Sequence, residues 1–125
     1  MAVKHVLSPY EGSFFGVNKI ANKYLVFGMS GRLYLLSPST LEWEKIDTGT
    51  DQFLLASVAT NDNKTVFVVG RGGAILVLNE TGQLIKAIED PSRVDYTAVT
   101  ILGDSVYLAS MAGGVRKMSL QQLTD

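Results

Sequence analysis

The chain has 125 residues, 46% of them apolar and 18% charged: one globular domain with a modest core, not a disordered segment. A net charge of −1 excludes a general electrostatic pull toward nucleic acid or anionic lipid, and the lack of cysteine excludes disulfides and thiolate metal sites. No stretch approaches the roughly 20 apolar residues of a membrane helix. The N-terminal MAVKHVLSPYEG lacks the apolar core of a signal peptide, which points to a cytoplasmic or virion-associated protein.

The first element in chain order is VKHVL (Val3–Leu7), short and alternating, closed by Pro9. SFFGV (Ser13–Val17) and the polar turn NKIANK follow, then a hairpin pattern, YLVFGMSGRLYLL (Tyr24–Leu36). The turn SPSTLE leads to WEKID (Trp43–Asp47). The same series then returns as ASVAT (Ala56–Thr60), VFVVGRGGAILVL (Val66–Leu78), NETGQL and IKAIE (Ile85–Glu89). A third pass gives YTAVTI (Tyr96–Ile101) and VYLASMAGGVRKM (Val106–Met118), and no alternating segment follows it. No part has a helical period of 3.6.

The third loop residue of each hairpin is glycine, at offsets 73 − 31 = 42 and 113 − 73 = 40. Such loops commonly end in the left-handed conformation, so Gly31, Gly73 and Gly113 are expected at positive φ. The missing last segment of the third unit has its match at the N-terminus. VKHVL aligns with IKAIE at an offset of 82, which also sets Pro9 on Pro91 and Phe14 on Tyr96. Labelling the strands A to D, the order is D-ABC-D-ABC-D-ABC, with units of about 2–37, 42–79 and 84–120 in a single domain spanning 1–125.

A four-strand unit of about 40 residues is that of a β-propeller blade. The expected fold is all-β: a β-propeller with three four-stranded blades per chain. The alternative is a β-sandwich of about eleven strands. Small residues in the A strands (Gly16, Ala59, Ala98) fit crowding near an axis. Propellers have about 4–8 blades, so a six-bladed homodimer is expected. Val3, Lys4, Val6 and Leu7 would supply the closing strand to the partner's last blade.

The runs VFVVGRGGAIL and LYLLSPSTLEWEKI resemble blades of the broad Asp-box and kelch-like propellers. SPSTLEW departs from an Asp box, with Ser39 and Leu41 where aspartate and glycine belong, and NETGQLI keeps Gly82 without the tryptophan. The resemblance therefore implies fold and carries no activity.

Chemistry is sparse. His5 is the lone histidine, on an outer strand, and neither a metal site nor a triad is expected around it. GRGG lacks the Lys-Ser/Thr and helix of a phosphate loop. No D-x-D-x-D spacing marks a calcium loop. Acidic residues are scattered through the turns; a pair such as Asp51 and Asp95, both between strands D and A of their units, would converge at a channel mouth, but solvated turn acids are the expected reading. Lys and Arg are spread through all units without stacking aromatics, so no nucleic-acid interface is expected. Trp43 is expected between repeats. The D–A loops and hairpin tips emerge at one end, making a candidate partner-binding face of Tyr10, Met29, Asp51, Arg71, Arg93, Asp95 and Met111. The expected function is non-catalytic: a protein-binding or structural scaffold, by analogy a small bacterial or phage component, with itself and another protein as partners. No membrane, metal or cofactor enters this reading. A carbohydrate-binding lectin is the alternative, weakened because Ile85 and Val3 stand where Trp43 does. A hydrolase with channel-mouth carboxylates is a third.

Overall fold

A computed structural model describes residues 2–125. Eleven strands form three antiparallel sheets, none closed on itself. The first sheet has β1 (Phe14–Ile20), β2 (Lys23–Gly28), β3 (Leu33–Leu36) and β4 (Trp43–Lys45), in that spatial order. The second has β5 (Leu54–Ala59), β6 (Thr65–Gly70), β7 (Ala74–Asn79) and β8 (Leu84–Glu89). The third has only β9 (Tyr96–Leu102), β10 (Ser105–Ser110) and β11 (Gly114–Ser119).

The sheets stack through two cores. Phe27, Leu33 and Leu35 of the first sheet meet Leu54, Val66, Val68, Leu76 and Leu78 of the second. From the other face of the second sheet, Phe67, Val69, Ile75 and Val77 meet Tyr96, Val106, Leu108 and Leu123. That double burial explains why TVFVVG and AILVL are continuous apolar runs, whereas LIKAIE of β8 alternates half-buried and exposed. β5 lies between β1 and β9, and Asn18 Nδ2 donates to Ser57 Oγ at 2.9 Å across the first pair.

The third sheet departs from the repeat. In the second unit, Asn79 closes the turn after β7: its Oδ1 accepts from Thr81 N at 3.1 Å and from Gln83 N at 2.9 Å. Forty residues on, Ser119 instead caps a short helix, α1 (Leu120–Thr124), through a capping box with Gln122. Leu123 of that helix is buried in the second core. No helix was expected there, because five residues are too few to show a period. The free edge of β11 has no fourth strand, and Val3–Leu7 pairs with no strand of its own chain. Val3 and Leu7 are 87% and 89% exposed.

Gly16 makes room for the Phe27 ring of its own sheet, 2.3 Å from where a Cβ would stand. One local expectation needs correction. Gly31 and Gly73 do have positive φ, 69° and 77°, but in the third hairpin the positive-φ residues are Ala112 and Gly114, not Gly113.

Candidate functional site

The D–A loops and hairpin tips do meet at one end of the sheets, and backbone hydrogen bonds join them in a repeated scheme. Within each unit the first tip residue donates to the loop before strand A: Met29 N to Ser13 O (3.0 Å), Arg71 N to Phe53 O (2.9 Å) and Met111 N to Asp95 O (2.9 Å). Between units the third tip residue donates onward: Gly31 N to Gln52 O and Gly73 N to Val94 O, both 2.8 Å. A Cβ on Gly31 would stand 1.9 Å from Thr50 O, and one on Gly73 2.7 Å from Asp90 O. Glycine is required here because the next loop presses on the tip. Gly113, which would come next, has no such partner among the described residues, and its φ is accordingly not left-handed.

The loops share a second device. Ser8 Oγ, Thr48 Oγ1 and Asp90 Oδ1 each accept from the backbone N–H two residues on, at Tyr10 (3.1 Å), Thr50 (3.4 Å) and Ser92 (3.0 Å). Side-chain acceptors of this kind hold a tight turn without a strand.

Each residue expected on this face has a definite place. Tyr10 packs on Phe14, with ring centroids 5.9 Å apart, and lies 4.8 Å under the Arg32 guanidinium. Met29 Sδ accepts from Ser13 N at 3.3 Å. Arg71 lies over the Phe53 ring at 5.0 Å. Asp95 Oδ1 accepts from Gly72 N at 2.9 Å, so its carboxylate is a turn clamp. Asp51 borders an open cleft with Asp47, Glu89 and Arg93, where Arg93 pairs with Glu89 at 2.8 Å. Met111 is 51% exposed at the third tip.

Trp43 is part of an aromatic layer on its own sheet rather than a wedge between two. Its ring is 5.9 Å from Phe14, stacked, and 5.8 Å from Tyr34, edge-on. Its Nε1 donates to Leu7 O at 2.9 Å, which leads the N-terminal segment past this layer.

One ionic cluster went unnoticed in the sequence. Asp90, 9% exposed, accepts through Oδ2 from the fully buried Tyr96 hydroxyl and from Arg116 Nη1 at 2.9 Å. Arg116 Nη1 also donates to Ser92 Oγ at 2.7 Å. The Tyr96 hydroxyl bond holds the Asp90 carboxyl below its ordinary range, against the opposing effect of burial. Burial first, and Asp90 second, push the Tyr96 phenol up. Arg116 takes the place that Leu76 has in the second unit, and Asp90 that of Thr48. The signal was present in the hairpin alignment, where GVRKM puts two cations against AILVL.

Every member of this cluster is bonded to another, so it acts as a joint between the second and third sheets. Among the described residues, no three His, Asp or Glu side chains converge as a metal site would require. No protein-family model matches the chain, and no curated protein sequence matches it.

Proposed function

We propose that the chain is a non-catalytic binding module: half of a six-bladed β-propeller, closed by a second copy, with its loop face docking another protein. One observation carries the reading. The onward bond from tip to loop recurs at Gly31 and Gly73 and leaves Gly113 N–H without an acceptor. Offsets of 40 and 82 make Gly12 the counterpart of Gln52 and Val94, and the Gly12 carbonyl accepts no hydrogen bond among the described residues. Each chain thus ends in a donor tip and begins with an acceptor loop, which is the condition for head-to-tail closure. Exposed apolar side chains lie at the same two ends, including Val115 (71%) on β11 and Tyr24 (43%) on β2.

The loop face suits docking more than catalysis. Asp95 is engaged in holding a hairpin tip, while Arg71, Arg93 and Met111 are exposed on this face. A scaffold or structural component needs no more than this. Carbohydrate binding is less well supported, because Trp43 is stacked into its own sheet and the other units carry no counterpart.

The test is light scattering on the purified chain. A mass of two chains supports closure, and a monomer at micromolar concentration overturns it. For the face, charge reversal at Arg71 and Arg93 should reduce capture of a protein partner while leaving the two-chain mass unchanged. If capture is lost only with substitutions at Lys19, Asp62 or Asp104, the opposite end is the binding face.

A further inference from the structure

Beside the free edge of β11 runs an apolar groove. Ile75, Ile88, Pro91, Met118 and Leu123 form its walls, and Asp90 stands at its rim. We infer that this groove receives the N-terminal segment of a second copy, with Val3 and Leu7 turned into it and Val6 turned away. The inference rests on the two-chain ring proposed above and specifies its joint.

The two complete sheets supply the register. Ile46 N donates to Leu33 O at 2.8 Å, and Ile88 lies opposite Ile75. Adding 40 to Ile75 gives Val115, and subtracting 82 from Ile88 gives Val6. A strand added in the same register therefore sets Val6 opposite Val115, His5 opposite Arg116 and Lys4 opposite Lys117. Side chains alternate along a strand, so Val3, His5 and Leu7 share the other face. In β8 the counterparts of His5 and Leu7 are Ala87 and Glu89, and both border the space between the second sheet and the first. By the same geometry, Val3 and Leu7 look across the groove at the second sheet.

Three features select this occupant. Ser8–Gly12, which follows the segment, already has the turn that follows β8, built on Ser8 as the later one is on Asp90. The strand preceding such a turn is the fourth strand of a sheet in both complete units. Val3, Leu7 and Val115 are among the most exposed large apolar side chains of the chain; the added strand turns Val3 and Leu7 toward the groove and lays Val6 beside Val115 on the opposite face. One polar contact fits as well: His5 would replace Ala87, which borders the same cavity as Thr48, so it would stand beside Asp90, the counterpart of Thr48.

The chain has no cysteine, so a single introduced pair reports the register cleanly. Cα atoms of facing antiparallel residues lie about 4.5–5.5 Å apart, within disulfide reach. Under mild oxidation Val6→Cys/Val115→Cys should give a covalent two-chain product, while Val6→Cys/Leu102→Cys should not. Adding Leu7→Asp, which sets a carboxylate in the apolar groove, should lower the yield at least about tenfold, and Leu7→Met should restore it. A chain that has the mass of two by light scattering but does not cross-link overturns the groove assignment and leaves the ring standing. A disulfide within one chain overturns it too, by placing the segment on its own β11. A monomeric chain removes the ring and this joint with it.

Discussion

Ser8 and Asp90 stand 82 residues apart and close the same turn, each side-chain oxygen accepting from the N–H two positions on. Thr48 is the third member of the set. The hydroxyls of Ser8 and Thr48 do this as neutral groups. Asp90 brings a charge into a buried joint, and Arg116 and Tyr96 are the groups that accommodate it.

That pairing predicts a coupled loss. Tyr96→Phe removes one hydroxyl from Asp90 and should cost about 1–2 kcal/mol. Arg116→Leu restores the residue type of Leu76 but leaves a carboxylate without its cation, so it should destabilise. Asp90→Thr added to Arg116→Leu recreates the joint between the first two sheets and should recover much of the loss. Urea denaturation of the four species of the cycle measures it, and strict additivity would show that the ion pair is incidental.

Stability should fall at both ends of the pH range for reasons located in the same cluster. The Asp90 pKa is lowered in the fold from an ordinary 3.8. Its contribution is thus present above that value and is lost as pH falls through the lowered one. The Tyr96 pKa is raised from 10.0, so its contribution is present below 10.0 and is lost as pH rises through the raised value. Melting temperatures of Asp90→Asn should be flatter at acid pH, and those of Tyr96→Phe flatter at alkaline pH. If each variant tracks the parent curve, the pH dependence arises elsewhere.

The glycines of the loops and hairpin tips should sort by contact, not by sequence position. Gly49 has φ 71° with open space around its Cβ position, so Gly49→Ala should cost about 1–2 kcal/mol from backbone strain alone. Gly31→Ala carries the same strain plus a 1.9 Å approach to Thr50 O and should cost clearly more. Gly113→Ala has no positive φ to strain, and its Cβ would meet only the rotatable Ser110 hydroxyl, at 2.5 Å, so it should cost less than either, about 1 kcal/mol or below. Equal losses at all three sites in thermal unfolding would contradict the account of the onward bond.

The proposed joint contains one unfavourable pair, which gives a substitution that should strengthen it. Lys4 would lie opposite Lys117, where β8 sets Lys86 opposite Val77. Like charges in that position repel. Lys4→Glu should tighten association several-fold in sedimentation measurements at low salt, and less at high salt. Weaker association of that variant would require a different register.

The eleven strands were legible because the signal is local: turn residues at fixed spacing bound short runs of β-branched and aromatic residues. Boundaries shifted by two or three residues at β1 and β5, where the ladder runs past the apolar run that announces it. The third hairpin was misjudged at Gly113 because positive φ at Gly31 and Gly73 accompanies the loop of the following unit, a contact that hairpin sequence does not contain. The common face of Met29, Arg71, Asp95 and Met111 followed from topology alone. The bonds of Asp95 to Gly72 and of Arg116 to Asp90 did not, since both join residues more than 20 positions apart across different strands. Helix α1 was hidden because a single turn is decided by the Ser119 cap and not by periodicity.

The second sheet is sealed on both faces and its two neighbours on one each. Opening should therefore proceed from the ends inward, each outer sheet peeling as a nearest-neighbour unit. Amide protons of β6 and β7 should be the last to exchange, and those of β11, whose outer edge pairs with nothing, among the first. Whatever seats a strand on that edge would slow exchange through the third sheet and raise the barrier to the first step of unravelling, so that assembly, where it occurs, protects the chain at its weakest margin.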